Sequence, residues 1–128
     1  MNTPKTVLIV DDMKTARIRL KQICTALGIN VYEAGDGLQA VELLKCLSVD
    51  LILSDWNMPN MDGLQLLEKI RKDPKHAATP VIFITAESEK NAVLKSLMTG
   101  ATDYIVKPFA DGIVREKICS TINITPKD

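Results

Sequence analysis

The sequence predicts an α/β domain of (βα)5 type, in which five parallel strands form an open sheet with helices on both faces. Short apolar runs alternate five times with segments of helical periodicity, which is typical of parallel strands joined by crossover helices. The first, third and fourth runs are continuously apolar, as expected for central strands covered on both sides. Because 128 residues suit one domain, we expect a single domain over residues 1–128 without an attached output domain.

The first two strand–helix units follow from apolar spacing and turn residues. The run TVLIV at residues 6–10 is rich in β-branched side chains and predicts the first strand. Apolar residues recur every three or four positions over residues 13–27, which predicts a helix that ends at Gly28. Residues 31–34 predict a weaker strand, and Asp36 is the predicted N-cap of a helix that continues to residue 47.

The third unit begins with the run LILS at residues 51–54, which predicts a buried strand. Asp62 and Gly63 are predicted to open the third helix, which ends before Pro74. Three apolar residues at helical spacing are expected on its inner face: Leu64, Leu67 and Ile70.

The last two units repeat the pattern. Pro80 stands at the start of a predicted strand at residues 81–84, a position where proline is tolerated. A fourth helix is followed by a strand at residues 103–106 and by an amphipathic helix at residues 111–122, before a short polar tail at residues 125–128. Gly100 lies at the end of the fourth helix. The inward residues of these two helices are predicted to be Val93 or Leu94, Leu97, Ala101, Val114, Ile118 and Ile122.

The composition argues against two classes of partner. Lys plus Arg equals Asp plus Glu at 16 each, so there is no electrostatic reason to expect binding to nucleic acid or to a membrane surface. No apolar run approaches the roughly 20 residues of a membrane span. The N-terminal apolar run is interrupted by acids, unlike a signal peptide. We therefore expect a cytoplasmic protein.

The three cysteines and the single histidine form no metal-ligand pattern. Cys24, Cys46 and Cys119 are widely spaced within apolar-periodic segments, so each is predicted to be a buried free thiol in a reducing compartment. His76 lies in a turn-rich stretch and is predicted to be a solvated loop residue.

Polar side chains stand at the ends of the four strong strand candidates. In a sheet of this kind, ligands bind outside the carboxyl ends of the strands. The residues predicted to meet at that edge are Asp11 and Asp12, Asp55, Thr85 and Lys107. Their convergence is much harder to attribute to chance than any one of them alone.

These residue types predict a site for Mg²⁺ and a phosphoryl group. Three neighbouring carboxylates repel unless a cation lies among them, and an all-oxygen site suits Mg²⁺, for which Mn²⁺ is a possible substitute, whereas zinc is disfavoured because no Cys or His is near. Lys107 and Thr85 supply the ammonium and hydroxyl groups needed to hold a phosphoryl group. Asp55, in the middle, is able to act as a nucleophile and form an acyl phosphate.

Each residue also has an ordinary structural interpretation when it is taken alone. Asp11 and Asp12 could cap the first helix, and Thr85 could form a turn or a cap before the fourth. Lys107 could belong to an exposed loop, and Tyr104 could be an edge-strand residue. Only the joint arrangement favours the site.

Four motifs resemble those of the receiver domains of two-component response regulators. They are DD at residues 11–12, DWNMP at residues 55–59, TA at residues 85–86 and YIVKPF at residues 104–109. The resemblance covers essentially the whole chain and is greatest to the single-domain, CheY-like chemotaxis regulators. It implies the flavodoxin-like strand order 2-1-3-4-5.

The resemblance also implies a role for each site residue. Asp55 would be phosphorylated, with Thr85 and Lys107 contacting the phosphoryl group and with Thr85 and Tyr104 acting as the switch pair. Side chains equivalent to Asn57 and Glu87 tune the hydrolysis of the acyl phosphate. The Mg²⁺ ligands would be Asp11, Asp12, Asp55 and the backbone carbonyl of Asn57, and the Lys107–Pro108 bond would be cis.

The function implied is a phosphorylation-activated signalling switch in chemotaxis or flagellar motor control. A histidine kinase or histidine-phosphotransfer protein would supply the phosphoryl group, and a motor switch protein or other target would bind the surface at residues 89–122. The phosphotransfer and self-dephosphorylation are stoichiometric, so we do not expect an enzyme, and we expect a monomer. The alternative within the family is a phosphorelay intermediate or a phosphate sink.

Two functions from other classes are weaker matches. A Mg²⁺-dependent aspartyl phosphohydrolase of the haloacid-dehalogenase type carries DxD after its first strand, whereas this chain has DDM at residues 11–13. A flavin or dinucleotide binder of similar architecture would carry GxGxxG there, and acids repel phosphate without a metal.

Overall fold

The computed structural model describes residues 4–125 and has one sheet of five parallel strands. The strand order is β2-β1-β3-β4-β5, which confirms the predicted fold class and the implied order. Residues 126–128 of the predicted polar tail lie outside the described residues. The strands are β1 (Thr6–Val10), β2 (Asn30–Ala34), β3 (Leu51–Asp55), β4 (Val81–Ala86) and β5 (Asp103–Lys107).

A helix follows each strand, so the alternation predicted from the sequence is confirmed. The N-caps of α2 and α3 are aspartates: Asp36 accepts a hydrogen bond from the Gln39 N–H, and Asp62 forms a capping box with Gln65. The helices are α1 (Lys14–Ala26), α2 (Gly37–Leu44), α3 (Gly63–Lys72), α4 (Lys90–Ser96) and α5 (Asp111–Ile122). None of the helices in residues 4–125 is long and apolar enough to cross a membrane.

The second and fourth helices are shorter than their apolar patterns suggest. α2 ends at Leu44 because the N–H groups of Lys45 and Cys46 bond carbonyls three residues back, which tightens the chain into a turn. α4 has seven residues and lies between two 3-10 turns, Glu87–Glu89 and Leu97–Thr99. Gly100 then adopts a φ of 119°, a left-handed conformation that favours glycine.

The core consists of two apolar layers, one on each face of the sheet. α1 and α5 cover one face, where Leu20 and Ile118 pack against β1 and β3. α2, α3 and α4 cover the other face, where Leu66 and Val93 belong to the same cluster as Phe83 of β4. Every residue of β3 is buried, so the strand that carries Asp55 is fixed from both sides.

Two predicted helix faces are partly wrong. Met13 precedes α1 and is 57 % exposed, and Leu64 lies at the margin of the α3 contact face with 36 % exposure. Leu66 is fully buried in its place because α3 begins at Gly63 and turns the Leu66, Leu67 and Ile70 stripe toward the sheet. Val93, not Leu94, is the buried member of its pair.

The environments predicted for Cys46 and His76 are wrong. Cys46 is exposed because α2 ends before it, whereas Cys24 and Cys119 are buried as predicted. His76 is 2 % exposed, and its Nε2 lies 2.9 Å from the Leu44 carbonyl oxygen. Because a carbonyl can only accept, Nε2 carries the proton. His76 therefore satisfies a carbonyl that α2 leaves free.

Arg71 connects two loops at the amino ends of the strands, the edge of the sheet opposite their carboxyl ends. Its Nε and Nη2 donate to the Gly100 carbonyl at 3.0 and 2.7 Å, and its Nη1 donates to the Thr79 carbonyl at 2.8 Å. Burial lowers the pKa of Arg71 from its usual value. The guanidinium therefore joins the loop before β4 to the loop before β5.

Candidate metal centre

Three carboxylates meet at the carboxyl ends of β1 and β3. The two strands are paired neighbours, so Asp11 and Asp12, which follow β1, lie beside Asp55, the last residue of β3. One oxygen from each lies within 4.8 Å of the other two. Asp11 and Asp55 are buried, and Asp12 is exposed, so the cluster is accessible to solvent at Asp12.

Backbone groups orient the two buried carboxylates. The Trp56 N–H donates to Asp55 Oδ1 at 2.8 Å, and the Met13 N–H donates to Asp11 Oδ1 at 2.9 Å. Asp11 Oδ2 is buried and has no hydrogen-bond partner among the described residues. A buried anionic oxygen without a hydrogen-bond donor is costly, and its cationic neighbour, the Lys107 ammonium, lies 3.8 Å away, beyond hydrogen-bond distance. This oxygen and the three clustered carboxylates fit a hard cation with oxygen ligands, such as Mg²⁺.

The alternative that Asp11 and Asp12 cap the first helix is not supported. The N-cap of α1 is Met13, whose own side chain makes no capping hydrogen bond. Asp11 instead bonds the Met13 N–H, which precedes the helix. The two acids at the end of β1 therefore belong to the site rather than to the helix terminus.

Lys107 contributes the cation that the structure places at this edge. Its Nζ lies 3.5 Å from Asp55 Oδ1 and 3.8 Å from Asp11 Oδ2. The Lys107–Pro108 peptide bond is cis, as expected. Three ionised carboxylates outnumber the Lys107 ammonium and the nearby Arg17 guanidinium, so the site retains an excess of negative charge that attracts a divalent cation.

Burial and mutual repulsion disfavour ionisation of the two buried acids. Burial is the main cause that raises the pKa of Asp55, and the charge of Asp11 raises it further, while Lys107 opposes both effects. Burial also raises the pKa of Asp11, against the Met13 N–H bond and Lys107. A cation that neutralises the cluster therefore competes with protons for these oxygens.

Thr85 stands at the end of β4, next to the strand that carries Asp55, and its side chain is fully buried. Its hydroxyl lies 3.3 Å from the carbonyl oxygen of Ala86 and 3.3 Å from Oε1 of Glu89. Tyr104, the predicted partner in the switch, is half-buried in β5 beside Phe83 of β4. The Thr85 hydroxyl is therefore held toward the loop that leads into α4.

Asn57 and Glu87 are both exposed, each two residues beyond Asp55 or Thr85. Arg17 and Glu89 were missed by the sequence reasoning. Nη1 of Arg17 donates to the Asp11 carbonyl at 2.6 Å, which fixes the backbone of the site to α1. A basic residue five positions after the paired acids, in the first turn of the predicted helix, could have indicated Arg17, whereas nothing in the spacing indicated Glu89.

Gly63 permits the turn after β3 to close tightly. Its N–H donates to the Trp56 carbonyl at 2.8 Å, and a Cβ there would lie 2.8 Å from Phe83 Cε1 and 3.0 Å from Trp56 Cε3. The Trp56 and Phe83 rings pack edge to face with centroids 5.0 Å apart. The absent side chain thus leaves room for the single tryptophan of the chain, which follows Asp55, to pack against Phe83.

Comparison with known proteins identifies a family and specific relatives. The profile of the family described as response regulator receiver domain matches residues 7–119. Chemotaxis protein CheY-3 of Vibrio cholerae is 40% identical over 119 residues, which span 92% of this chain and 92% of that protein. Chemotaxis protein CheY of Pseudomonas aeruginosa is 38% identical over 113 residues, which span 88% of this chain and 91% of that protein.

A solved structure adds an observation on the metal. The receiver domain of a sensor histidine kinase from Pseudomonas aeruginosa superposes with a TM-score of 0.85 at 26% identity, and covers 95% of this chain and 100% of that one. It was solved with a magnesium ion coordinated in the active site cleft.

Proposed function

This chain belongs to the response regulator receiver domain family, and from that premise we propose that it is a signalling switch controlled by phosphorylation of Asp55. The observation that carries the proposal is the meeting of Asp11, Asp12 and Asp55 with Lys107 at one edge of the sheet. A carboxylate with a hard-cation site and an ammonium beside it is equipped to accept a phosphoryl group.

The chain's own residues prepare Asp55 for this reaction. A carboxylate oxygen of Asp55 attacks phosphorus, an O–P bond forms, and the N–P bond to the imidazole of the donor breaks. The Trp56 N–H and Lys107 both lie at Asp55 Oδ1, which orients the carboxylate and offsets charge. Mg²⁺, when bound by the three aspartates and the Asn57 carbonyl, supplies further neutralisation of the phosphoryl oxygens. Each Asp55 accepts one phosphoryl group, so the transfer is stoichiometric, and hydrolysis of the acyl phosphate then resets the switch.

The phosphoryl group would redistribute hydrogen bonds at the edge of the sheet. A dianionic group on Asp55 attracts the Lys107 ammonium and the Thr85 hydroxyl, and these bonds favour one packing of the chain over another. Tyr104, half-buried beside β4, is the aromatic side chain that we expect to repack as Thr85 moves.

Partner binding is proposed for the surface at residues 89–122. Three apolar side chains on this surface are exposed, a feature common in contact surfaces: Leu94 at 38%, Met98 at 94% and Ile113 at 49%. Similarity to two chemotaxis proteins supports a flagellar motor switch protein as the target. A histidine kinase or histidine-phosphotransfer protein is the proposed donor.

A pull-down with and without beryllofluoride, a phosphoryl mimic, tests this function. Enrichment of a motor switch protein only with Mg²⁺ and the mimic would support the chemotaxis role. Capture of a histidine-phosphotransfer protein alone would favour a relay role. The Asp55→Asn variant is the control, and a variant that still gained partners with the mimic or with acetyl phosphate would contradict the proposal.

A further inference from the structure

Glu89 makes two contacts that connect the candidate site to the start of α4. Its Oε1 lies 3.3 Å from the Thr85 hydroxyl oxygen and accepts a hydrogen bond from the Ala86 N–H at 3.2 Å. Both donors are at the end of β4, and Glu89 directly precedes α4. Oε1 of Glu89 therefore connects the 3-10 turn to the end of β4 through the Thr85 hydroxyl and the Ala86 N–H.

The Thr85 hydroxyl has one proton and is fully buried. Its two acceptors, Glu89 Oε1 and the Ala86 carbonyl, are both at 3.3 Å, which is longer than the usual 2.7–2.8 Å of an O–H···O bond. Long bonds of this kind are weak enough to be exchanged for a shorter, charge-assisted bond to a phosphoryl oxygen. The hydroxyl cannot donate to Glu89 and to a phosphoryl group at full strength together.

We propose that Glu89 is a positioning residue that holds the Thr85 hydroxyl in a resting arrangement and must release it before that hydroxyl can bond a phosphoryl group on Asp55. This inference rests on the function proposed above. The same oxygen also accepts from the Ala86 N–H, so displacement of the Glu89 carboxylate from Thr85 would loosen the turn that leads into α4.

The test is the affinity for beryllofluoride at saturating Mg²⁺, measured by the fluorescence of the single tryptophan. Glu89→Ala removes the competing acceptor, and we expect the affinity to rise about threefold to tenfold, the value of one net hydrogen bond. Glu89→Gln keeps an oxygen acceptor without the charge, and should give a smaller rise. Glu68→Ala, which removes an exposed carboxylate from α3, is the matched control and should change nothing.

Repeating Glu89→Ala in a Thr85→Val variant distinguishes two causes of a higher affinity. One is release of the Thr85 hydroxyl, and the other is loss of the Glu89 bond that holds the turn. In Thr85→Val there is no hydroxyl to release, so Glu89→Ala should leave the beryllofluoride affinity of that variant unchanged. An equal rise in both backgrounds, or no rise in the first, would overturn the inference while the proposed function stood. Absence of any beryllofluoride signal from the unsubstituted protein would refute the proposed function, and this inference with it.

Discussion

Replacing Asp55 with asparagine should make the metal-free protein more stable. The substitution keeps the shape of the side chain and an oxygen that can accept the Trp56 N–H bond, but it removes one negative charge from a crowded site. Burial and the charge of Asp11 raise the pKa of Asp55, so the ionised carboxylate lowers the free energy of unfolding. A neutral amide at this position removes that destabilisation.

The size of the effect follows from the distances. At 4.8 Å, the upper limit between oxygens of the cluster, each carboxylate pair repels by about 3.5 kcal/mol for an effective dielectric constant of about 20. At 3.5 Å the Lys107 ammonium attracts Asp55 by about 4.7 kcal/mol on the same scale. The repulsions of Asp55 by Asp11 and by Asp12 together exceed the attraction to Lys107 by about 2 kcal/mol. Because Asp12 is exposed, solvent screening weakens its repulsion and reduces this net destabilisation toward about 1 kcal/mol.

The advantage of the variant should depend on pH in one direction. A carboxyl group whose pKa is raised on folding binds its proton more tightly in the native state, so the unsubstituted protein loses stability as the pH rises through the folded pKa. Below the ordinary value of 3.8 the carboxyl is protonated in both states, and the advantage vanishes. It should grow as the pH rises above that value and become constant once the pH exceeds the folded pKa of Asp55.

Thermal unfolding in EDTA and in millimolar Mg²⁺ measures the effect. About 1 kcal/mol should raise the Tm of a chain of this size by about 3–5 °C in EDTA. Mg²⁺ at a hundredfold excess over its Kd should stabilise the unsubstituted protein by about 2.7 kcal/mol. The variant, which lacks one ligand, should gain less, so the order of stability reverses.

The matched control is Glu68→Gln, which removes the same charge from the exposed side of α3. It should change neither the Tm in EDTA nor the response to Mg²⁺. A lower Tm for Asp55→Asn in EDTA at neutral pH would refute the electrostatic reasoning, and an undiminished Mg²⁺ response would refute the assignment of Asp55 as a ligand.

Two further substitutions test the packing and the hydrogen bonds around this site and at the opposite end of the sheet. Gly63→Ala should lower the free energy of unfolding by about 1–3 kcal/mol and change the Trp56 emission, because the new Cβ would lie 2.8 Å from Phe83 Cε1; unchanged denaturation and emission would contradict this. Arg71→Met should lower the same quantity by about 2–3 kcal/mol in urea titrations, because it leaves the Gly100 carbonyl without its charged donor; a loss below 0.5 kcal/mol would show that water replaces the guanidinium.

The strand ends of the site were predictable because parallel strands deliver their last residues to one edge. Asp11 and Asp55 follow continuously apolar runs whose burial fixes their place in the sheet, whereas β5, which carries Lys107, is an edge strand and only partly buried. The structure adds two contacts that the alternation of strands and helices cannot reveal. Asp11 Oδ2 has no hydrogen-bond donor within residues 4–125, and the Thr85 hydroxyl lies against Glu89.

The sequence prediction was wrong where a short-range pattern competed with long-range contacts. His76 lies in a polar turn, yet an early helix end leaves the Leu44 carbonyl for it to satisfy from 32 residues away. Cys46 was assigned to a helix that stops before it. Both errors come from one helix end, which depends on tertiary packing more than on local propensity.

The contrast between β3 and α4 has a consequence for amide hydrogen exchange. β3 lies between two paired neighbours and is buried at every position, so its amides should exchange only through global unfolding. α4 is a seven-residue helix between 3-10 turns, so its amides should exchange through smaller, more frequent openings. Deuterium would therefore label the helix that follows Thr85 long before the strand that carries Asp55. A partner that binds α4 would then contact the segment that rearranges most readily.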